Sequence, residues 1–319
     1  MDEKKQQIVI IGAGVLDVLV RPVDETVFRT GSFPVEDIRL ATGGDALNEA
    51  TILARLGCRP ALVSIVGEDE AGRMLLSHCR KEGISTELVK RSKELATGVN
   101  VVMVQDDGSR SFFTDPKSSL RRLSLEHIPA RFPHDAAILC LASIFVSPCL
   151  GVREMTEIFK RAKAQDMTVC ADMTKCKNHE RAEDIREALA LIDYLFVNEE
   201  EAAMLCGEKN VEELAGVLFF CGARNVIIKC GARGCYVKNE ELSRQFPALP
   251  AARCVDTTGA GDAFAAGFLC ALSEGRALEE CIMWASACGS LNVEKVGAAS
   301  GVSTRSQVEA RIAGEDLRL

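Results

Sequence analysis

No stretch of this chain is apolar for long enough to cross a bilayer. The longest apolar run, Ala136 to Val146, is bounded by His134-Asp135 and Ser147-Pro148, which suits a buried strand. The hydrophobic core of a secretory signal is also missing: the N-terminus is polar and runs straight into Ile8 to Ile11, so it reads as unprocessed. No internal repeat, proline-rich linker, low-complexity tract or long block of like charge marks a domain boundary or a tail. A Gly-x-x-x-x-Gly-Lys-Ser/Thr element is absent, which leaves a P-loop kinase without support. Gly12-Ala13-Gly14 follows the first apolar run, but Asp17 stands where a dinucleotide fingerprint has its third glycine, which weakens that rival reading.

Metal-binding patterns are equally scarce. No Cys-x-x-Cys pair exists and the chain has 4 histidines, so zinc sites at Cys170 and Cys176 or at Cys230 and Cys235 lose to the alternative of buried structural thiols. The 14 cysteines sit in apolar contexts such as Leu139-Cys140-Leu141, where a free thiol behaves as a small hydrophobe; this points to a reducing, cytoplasmic setting.

What is present looks like a globular enzyme. The chain has 319 residues, 47% hydrophobic and 26% charged, with a net charge of -8 that disfavours broad attraction to nucleic acid or to an anionic membrane. Apolar, β-branched runs at Ile8 to Ile11, Ala61 to Val66, Ala136 to Val146, Thr168 to Ala171, Tyr194 to Val197 and Val226 to Lys229 predict strands. They alternate with segments of helical period at Ala46 to Leu56, Gly72 to Glu82, Gly151 to Gln165, Glu199 to Cys206, Val211 to Cys221, Asp262 to Ser273 and Leu278 to Val293. Gly57, Gly83, Gly207 and Gly222 supply helix stops. This alternation predicts a parallel sheet covered by helices, in one domain spanning residues 1–319. Two segments break the rhythm, about 16–40 and 98–114, the second around the turn Asp106-Asp107-Gly108. They predict a small antiparallel sheet standing off the main body.

The most informative stretch is Asp256-Thr-Thr-Gly-Ala-Gly-Asp262-Ala-Phe, a glycine turn entering an apolar helix. Amides at such a helix start attract phosphate, and Asp262 stands where it could take a proton from a hydroxyl. An isolated turn of this kind would more often be a capped helix start; the length of the pattern decides otherwise. The stretch resembles, almost residue for residue, the C-terminal signature of the ribokinase (PfkB) family of carbohydrate kinases. Gly43-Gly44-Asp45-Ala46-Leu47-Asn48 resembles the family's N-terminal signature, in the expected order along the chain.

The resemblance implies a three-layer α/β/α fold of ribokinase type with a small antiparallel β lid over the sugar. It also implies ATP-dependent phosphorylation of a hydroxymethyl group of a small sugar or sugar acid. Asp262 would be the base and Gly259, Ala260 and Gly261 the anion hole. Asp17, Gly43, Gly44, Asp45, Asn48 and Asn100 would face the substrate. Asn198, Glu201, Lys229, Gly231 and Gly234 would face the nucleotide, with Asn198 and Glu201 also holding Mg2+ through water. Asp256 and the Thr258 carbonyl, helped by the 297–301 segment, would hold a K+-type cation. Met103 and Phe112 are further candidates from the lid, and a homodimer through the lid is compatible with the family. Asp45 stands where ribokinases proper carry Lys, and Ser143 near a sugar-contacting Glu of theirs. The sequence therefore leaves sugars, sugar acids and nucleosides open as substrates, with a catalytically idle sugar-binding regulator as the rival class.

Overall fold

A computed structural model describes residues 7–106 and 109–314 of the chain. Ile8 to Ile11 have no exposed surface, and their alternation explains the layering. Ile8 and Ile10 join one apolar cluster while Val9 and Ile11 join another, so this strand is covered on both faces. It is β1 (Gln7–Ile11), followed by β2 (Val15–Arg21), β3 (Asp37–Gly43), β4 (Arg59–Val63), β5 (Ile65–Gly67), β6 (Lys90–Ser92), β7 (Val99–Val104) and β8 (Arg110–Thr114). The second half contributes β9 (Ala136–Ile144), β10 (Thr168–Met173), β11 (Tyr194–Asn198), β12 (Asn225–Lys229), β13 (Cys235–Lys238) and β14 (Ser243–Phe246).

The main sheet runs β14-β13-β12-β11-β10-β9-β1-β4. From β4 to β12 all pairings are parallel, and β13 and β14 add an antiparallel edge that the apolar pattern did not disclose. One face is covered by α1 (Asp45–Arg55) and α2 (Glu70–Glu82), the other by α3 (Val152–Lys163), the short α4 (Arg186–Leu189), α5 (Glu199–Cys206) and α6 (Val211–Phe220). Back on the first face lie α7 (Ala260–Ser273), α8 (Leu278–Asn292) and α9 (Arg305–Ala313). This is the expected three-layer arrangement. Within the first face Phe268 of α7 packs on Phe196 of β11 and Tyr194, with ring centroids 5.0 and 5.1 Å apart. Buried side chains of this size each contribute about 1.5–3 kcal/mol, which ties α7 firmly to the sheet.

The rhythm-breaking segments form the second sheet, in the order β3-β2-β7-β8. The expectation of an antiparallel lid needs one correction. β2 with β3 and β7 with β8 are antiparallel, but the central pair, β2 with β7, is parallel, because both strands leave the main domain in the same direction. The Gln105 amide donates to the Ser109 carbonyl (2.9 Å) at the end of the β7–β8 hairpin, whose turn residues Asp107 and Gly108 lie outside the described residues.

The sheet's geometry sets the place of the chemistry. Ser143, Asp172, Asn198 and Lys229 stand at the carboxyl ends of β9, β10, β11 and β12, four adjacent parallel strands. In open α/β sheets this edge is where ligands bind.

Candidate active site

Three glycines shape the cleft. Gly44 adopts φ 91°, open to glycine at little cost, and a Cβ there would lie 2.5 Å from the Ala13 carbonyl oxygen. A Cβ on Gly43 would lie 2.1 Å from Asp17 Oδ2, so the absence of a side chain is what admits that carboxylate. Asp17 on β2, Asn100 on β7 and Thr114 on β8 occupy one row of the lid sheet. Asn100 Nδ2 donates to Asp17 Oδ1 (2.9 Å) and Thr114 Oγ1 to Asn100 Oδ1 (3.0 Å). Strand alternation places Phe112 on the same face as Asn100 and Met103 on the opposite face, which removes Met103 from the cleft lining.

At the start of α1, Asp45 accepts a hydrogen bond from Ser143 Oγ. One turn on, Asn48 Nδ2 donates to Asp262 Oδ2 (2.7 Å). That contact ties the first turn of α1 to the first turn of α7 and fixes the orientation of the Asp262 carboxylate.

The third glycine, Gly259, holds φ 67° as the N-cap of α7, and no side chain caps that helix. A Cβ there would lie 2.0 Å from the Ala298 carbonyl oxygen, and one on Gly261 would come within 3.2 Å of Lys229 Nζ. The Ala260 amide donates to the Thr257 carbonyl (3.2 Å), which leaves the neighbouring Gly259 and Gly261 amides as the candidates for holding an anion.

Lys229 Nζ donates to both Asp172 oxygens at 2.7 Å. Burial opposes its charge, but Asp172, Glu201 and Asp262 outweigh that and hold the ammonium above its ordinary range. Burial also pushes Asp172 up, yet the bidentate contact and the Met173 amide (2.7 Å) make it the ionised partner of the pair. Asn198 and Glu201 form a reciprocal cap on α5: the Glu201 amide donates to Asn198 Oδ1 (2.8 Å) and the Asn198 amide to Glu201 Oε2 (2.9 Å). Burial moves Glu201 up to about 7, with Lys229 working in the opposite sense. Gly231 and Gly234 form the β12–β13 turn with φ 58° and 92°; a Cβ on Gly234 would lie 2.0 Å from the Phe246 carbonyl oxygen, so that glycine serves the turn itself.

Carboxylates dominate this cleft. Asp45 and Asp262 keep part of their surface open to it, while protein surrounds them elsewhere. Burial raises both, and Asp45 raises Asp262 further; Asn48 and Lys229 act the other way. Behind them Glu49 on α1 is fully buried with no hydrogen-bond partner for either carboxyl oxygen, although the Cys140 thiol lies close enough to perturb it. Burial first, then Asp172, Asp262 and Asp45, push its carboxyl far above the usual range, so it is held protonated.

Sequence reasoning missed Glu49, Arg110 and Asn292. Arg110 on β8 donates to Asp256 Oδ1, and Asn292 on α8 bridges the Thr258 and Ala298 carbonyls. Among the described residues no cluster of three or more His, Cys, Asp or Glu could by itself hold a metal ion, and no helix is long and apolar enough to cross a membrane.

Residues 5–305 match the pfkB family of carbohydrate kinases. A ribokinase from Haemophilus influenzae is 28% identical over 279 residues, covering 85% of this chain and 87% of its own. A probable fructokinase from Arabidopsis thaliana is 30% identical over 295 residues, covering 86% and 88%. The structure of Arabidopsis thaliana ribokinase complexed with ribose and ATP superposes with a TM-score of 0.80 at 25% identity, covering 96% of this chain and 98% of that one.

Glu49 generates a prediction about stability. Its folded-state carboxyl lies far above the unfolded value of 4.5, so its contribution is fully present below that value and is lost as pH rises toward the folded one. Glu49→Gln should therefore gain on the parent chain as pH rises, by up to about 1.4 kcal/mol per pH unit between the unfolded and the folded value, so that its advantage is larger at pH 8 than at pH 5. Urea unfolding at both pH values measures this; an equal difference at the two would show that Glu49 is not held protonated.

Proposed function

The chain belongs to the pfkB family of carbohydrate kinases and is an ATP-dependent carbohydrate kinase, and from that premise we propose the chemistry of its site. The acceptor is a hydroxymethyl group of a small sugar, and Asp262 is the base. As the hydroxyl oxygen attacks the γ-phosphorus, its proton passes to Asp262, the new P–O bond forms, and the bond to the β-phosphate oxygen breaks to release ADP. The observation that carries this reading is the 2.7 Å contact from Asn48 to Asp262 at the start of α7, beside the glycine turn and Lys229. Asn48 and Lys229 favour the carboxylate form that a base needs, while its raised proton affinity strengthens it as a base.

The amides of Gly259 and Gly261, with the Lys229 ammonium, offset charge on the transferring phosphoryl group. Gly231 and Gly234 turn the chain beside the nucleotide. Because Asn198 Oδ1 and Glu201 Oε2 already accept backbone amides, Mg2+ would be held by these two residues through its own water, together with the phosphates, and it would supply charge neutralisation there. The sugar end offers Asp17, Asp45 and Asn100 along with the Gly43-Gly44 backbone.

Its nearby basic groups are already engaged: Lys229 by Asp172, Arg121 by the Val146 carbonyl, Arg110 by Asp256. A substrate carboxylate would meet carboxylates instead, so a neutral sugar is favoured over a sugar acid. A homodimer through the outer face of the lid, where Leu40, Val101 and Phe113 are exposed on the side away from Asp17, belongs to the same proposal.

Three measurements test these readings. ADP release should be seen with a neutral pentose or hexose, with kcat/KM at least about tenfold lower for a ketodeoxy acid of similar size. Asp262→Asn should lose about 100- to 10,000-fold in kcat while keeping its fold and nucleotide binding. A variant with near-normal turnover would remove Asp262 from the role of base, and silence across pentoses, hexoses, ketodeoxy acids and nucleosides would favour a sugar-binding regulator. Sedimentation should give twice the chain mass for the parent and a monomer for Phe113→Asp; a monomeric parent would end the dimer proposal.

A further inference from the structure

The family resemblance implies a monovalent cation held by Asp256 and the Thr258 carbonyl, and the hydrogen bonds around those atoms decide whether this chain can take one. Asp256 is buried. Its Oδ1 accepts from the Thr258 amide (2.9 Å) and from Arg110 Nη2 (2.5 Å), and its Oδ2 accepts from the Gly297 amide (2.9 Å). The carboxylate therefore already carries one full positive charge and two amide donors.

The carbonyls are engaged as well. A single nitrogen, Asn292 Nδ2, donates to the Thr258 carbonyl (2.9 Å) and to the Ala298 carbonyl (3.0 Å), so it lies between the two oxygens, where an ion bridging them would have to sit. Asn292 has no exposed surface, and its Oδ1 accepts from the Gly301 amide (3.2 Å), which fixes the orientation of the side-chain amide. Carbonyl and carboxylate oxygens that face N–H donors at this range are poorly arranged for a hard cation, which needs their lone pairs directed at itself. The residues present do not fit the ion.

We infer that this kinase carries its own substitute for the cation: the Arg110 guanidinium supplies the charge on Asp256, and the Asn292 amide supplies the bridge between the two carbonyls. The consequence for the site is mechanical as well as electrostatic. Asp256 and Thr258 begin the turn that ends in Gly259 to Gly261, so whatever neutralises Asp256 helps to set the position of the glycine amides. Arg110 belongs to β8, and its row of the lid sheet faces the same side as Asn100 and Asp17. The charge that completes this turn is therefore delivered by the lid, which also holds the sugar-facing Asp17. A free ion would leave those two parts of the site unconnected; an arginine links them.

The inference rests on the kinase reading for its rate measurement only. Thermal melting of the full chain in potassium, thallium(I), sodium and tetramethylammonium nitrates at constant ionic strength tests the site without any turnover. The parent should melt at one temperature in all four salts. Arg110→Met should melt lower in tetramethylammonium and be restored selectively by potassium or thallium, as expected when an ion binds only the folded state. Arg110→Lys, which keeps a charge, should behave like the parent.

Rates should follow the same order. The parent should vary by no more than about twofold among the salts, while Arg110→Met should fall by about tenfold or more in tetramethylammonium and recover in part with potassium. A parent that is stabilised and activated selectively by potassium would overturn the inference. So would an Arg110→Met chain that melts and turns over like the parent in every salt, because the guanidinium would then be neutralising nothing that the turn depends on.

Discussion

One ammonium group holds together a cleft built from acids. Asp45, Asp172, Glu201 and Asp262 all lie near Lys229, with Glu49 behind them, and in a poorly hydrated space their mutual repulsion would be prohibitive without it. The fold supplies the answer at the carboxyl end of β12, where the strand delivers Lys229 beside Asp172 at the end of β10 and next to Gly261 at the start of α7. The same charge therefore settles the acidic floor and faces the turn where a phosphoryl group would be transferred. Phe268 packs α7, the helix that this turn opens, against β11 of the sheet.

Around this centre each remaining acid has its own treatment. Asp172 is ionised against Lys229; Glu49 is kept neutral by burial; Asp256 is buried yet held below its usual range by the Thr258 and Gly297 amides and Arg110. Asp262, like Glu49, is pushed well above its usual range, first by burial. Its carboxylate is destabilised by burial and Asp45 but supported by Asn48 and Lys229, the balance expected of a base that must ionise and still accept a proton.

Local pattern disclosed the elements well. The helix read from Glu199 to Cys206 has those same bounds, and the parallel strands lie where apolar, β-branched runs place them. Motif resemblance brought out Asp262, Asp17 and the glycine turns, since each belongs to a short contiguous stretch. The contacts that define the site were not legible: Asn48 and Asp262 are separated by 214 positions and Arg110 and Asp256 by 146, and neither pair leaves a periodic signal. Asn48 reads from its surroundings as a helix-capping residue or, by resemblance, as a sugar ligand, because nothing local shows that its amide meets Asp262. The parallel pairing of β2 with β7 escaped for a related reason. Strand alternation gives the faces of a sheet, but the direction of pairing follows from where the intervening chain runs. The antiparallel edge of β13 and β14 and the final helix α9 carry patterns too short or too polar to stand out.

The central claim is that Asp262 is a base whose proton affinity is set by these neighbours, and the pH dependence of kcat/KM measures it most directly. The acidic limb should lie above the ordinary carboxylate value of 3.8, with activity falling as pH drops and Asp262 takes up its proton. Asp45→Asn removes a like charge and should move the limb to lower pH, whereas Asn48→Ala removes a stabilising hydrogen bond and should move it to higher pH. A limb at the ordinary value, or one that neither substitution moves, would contradict the account.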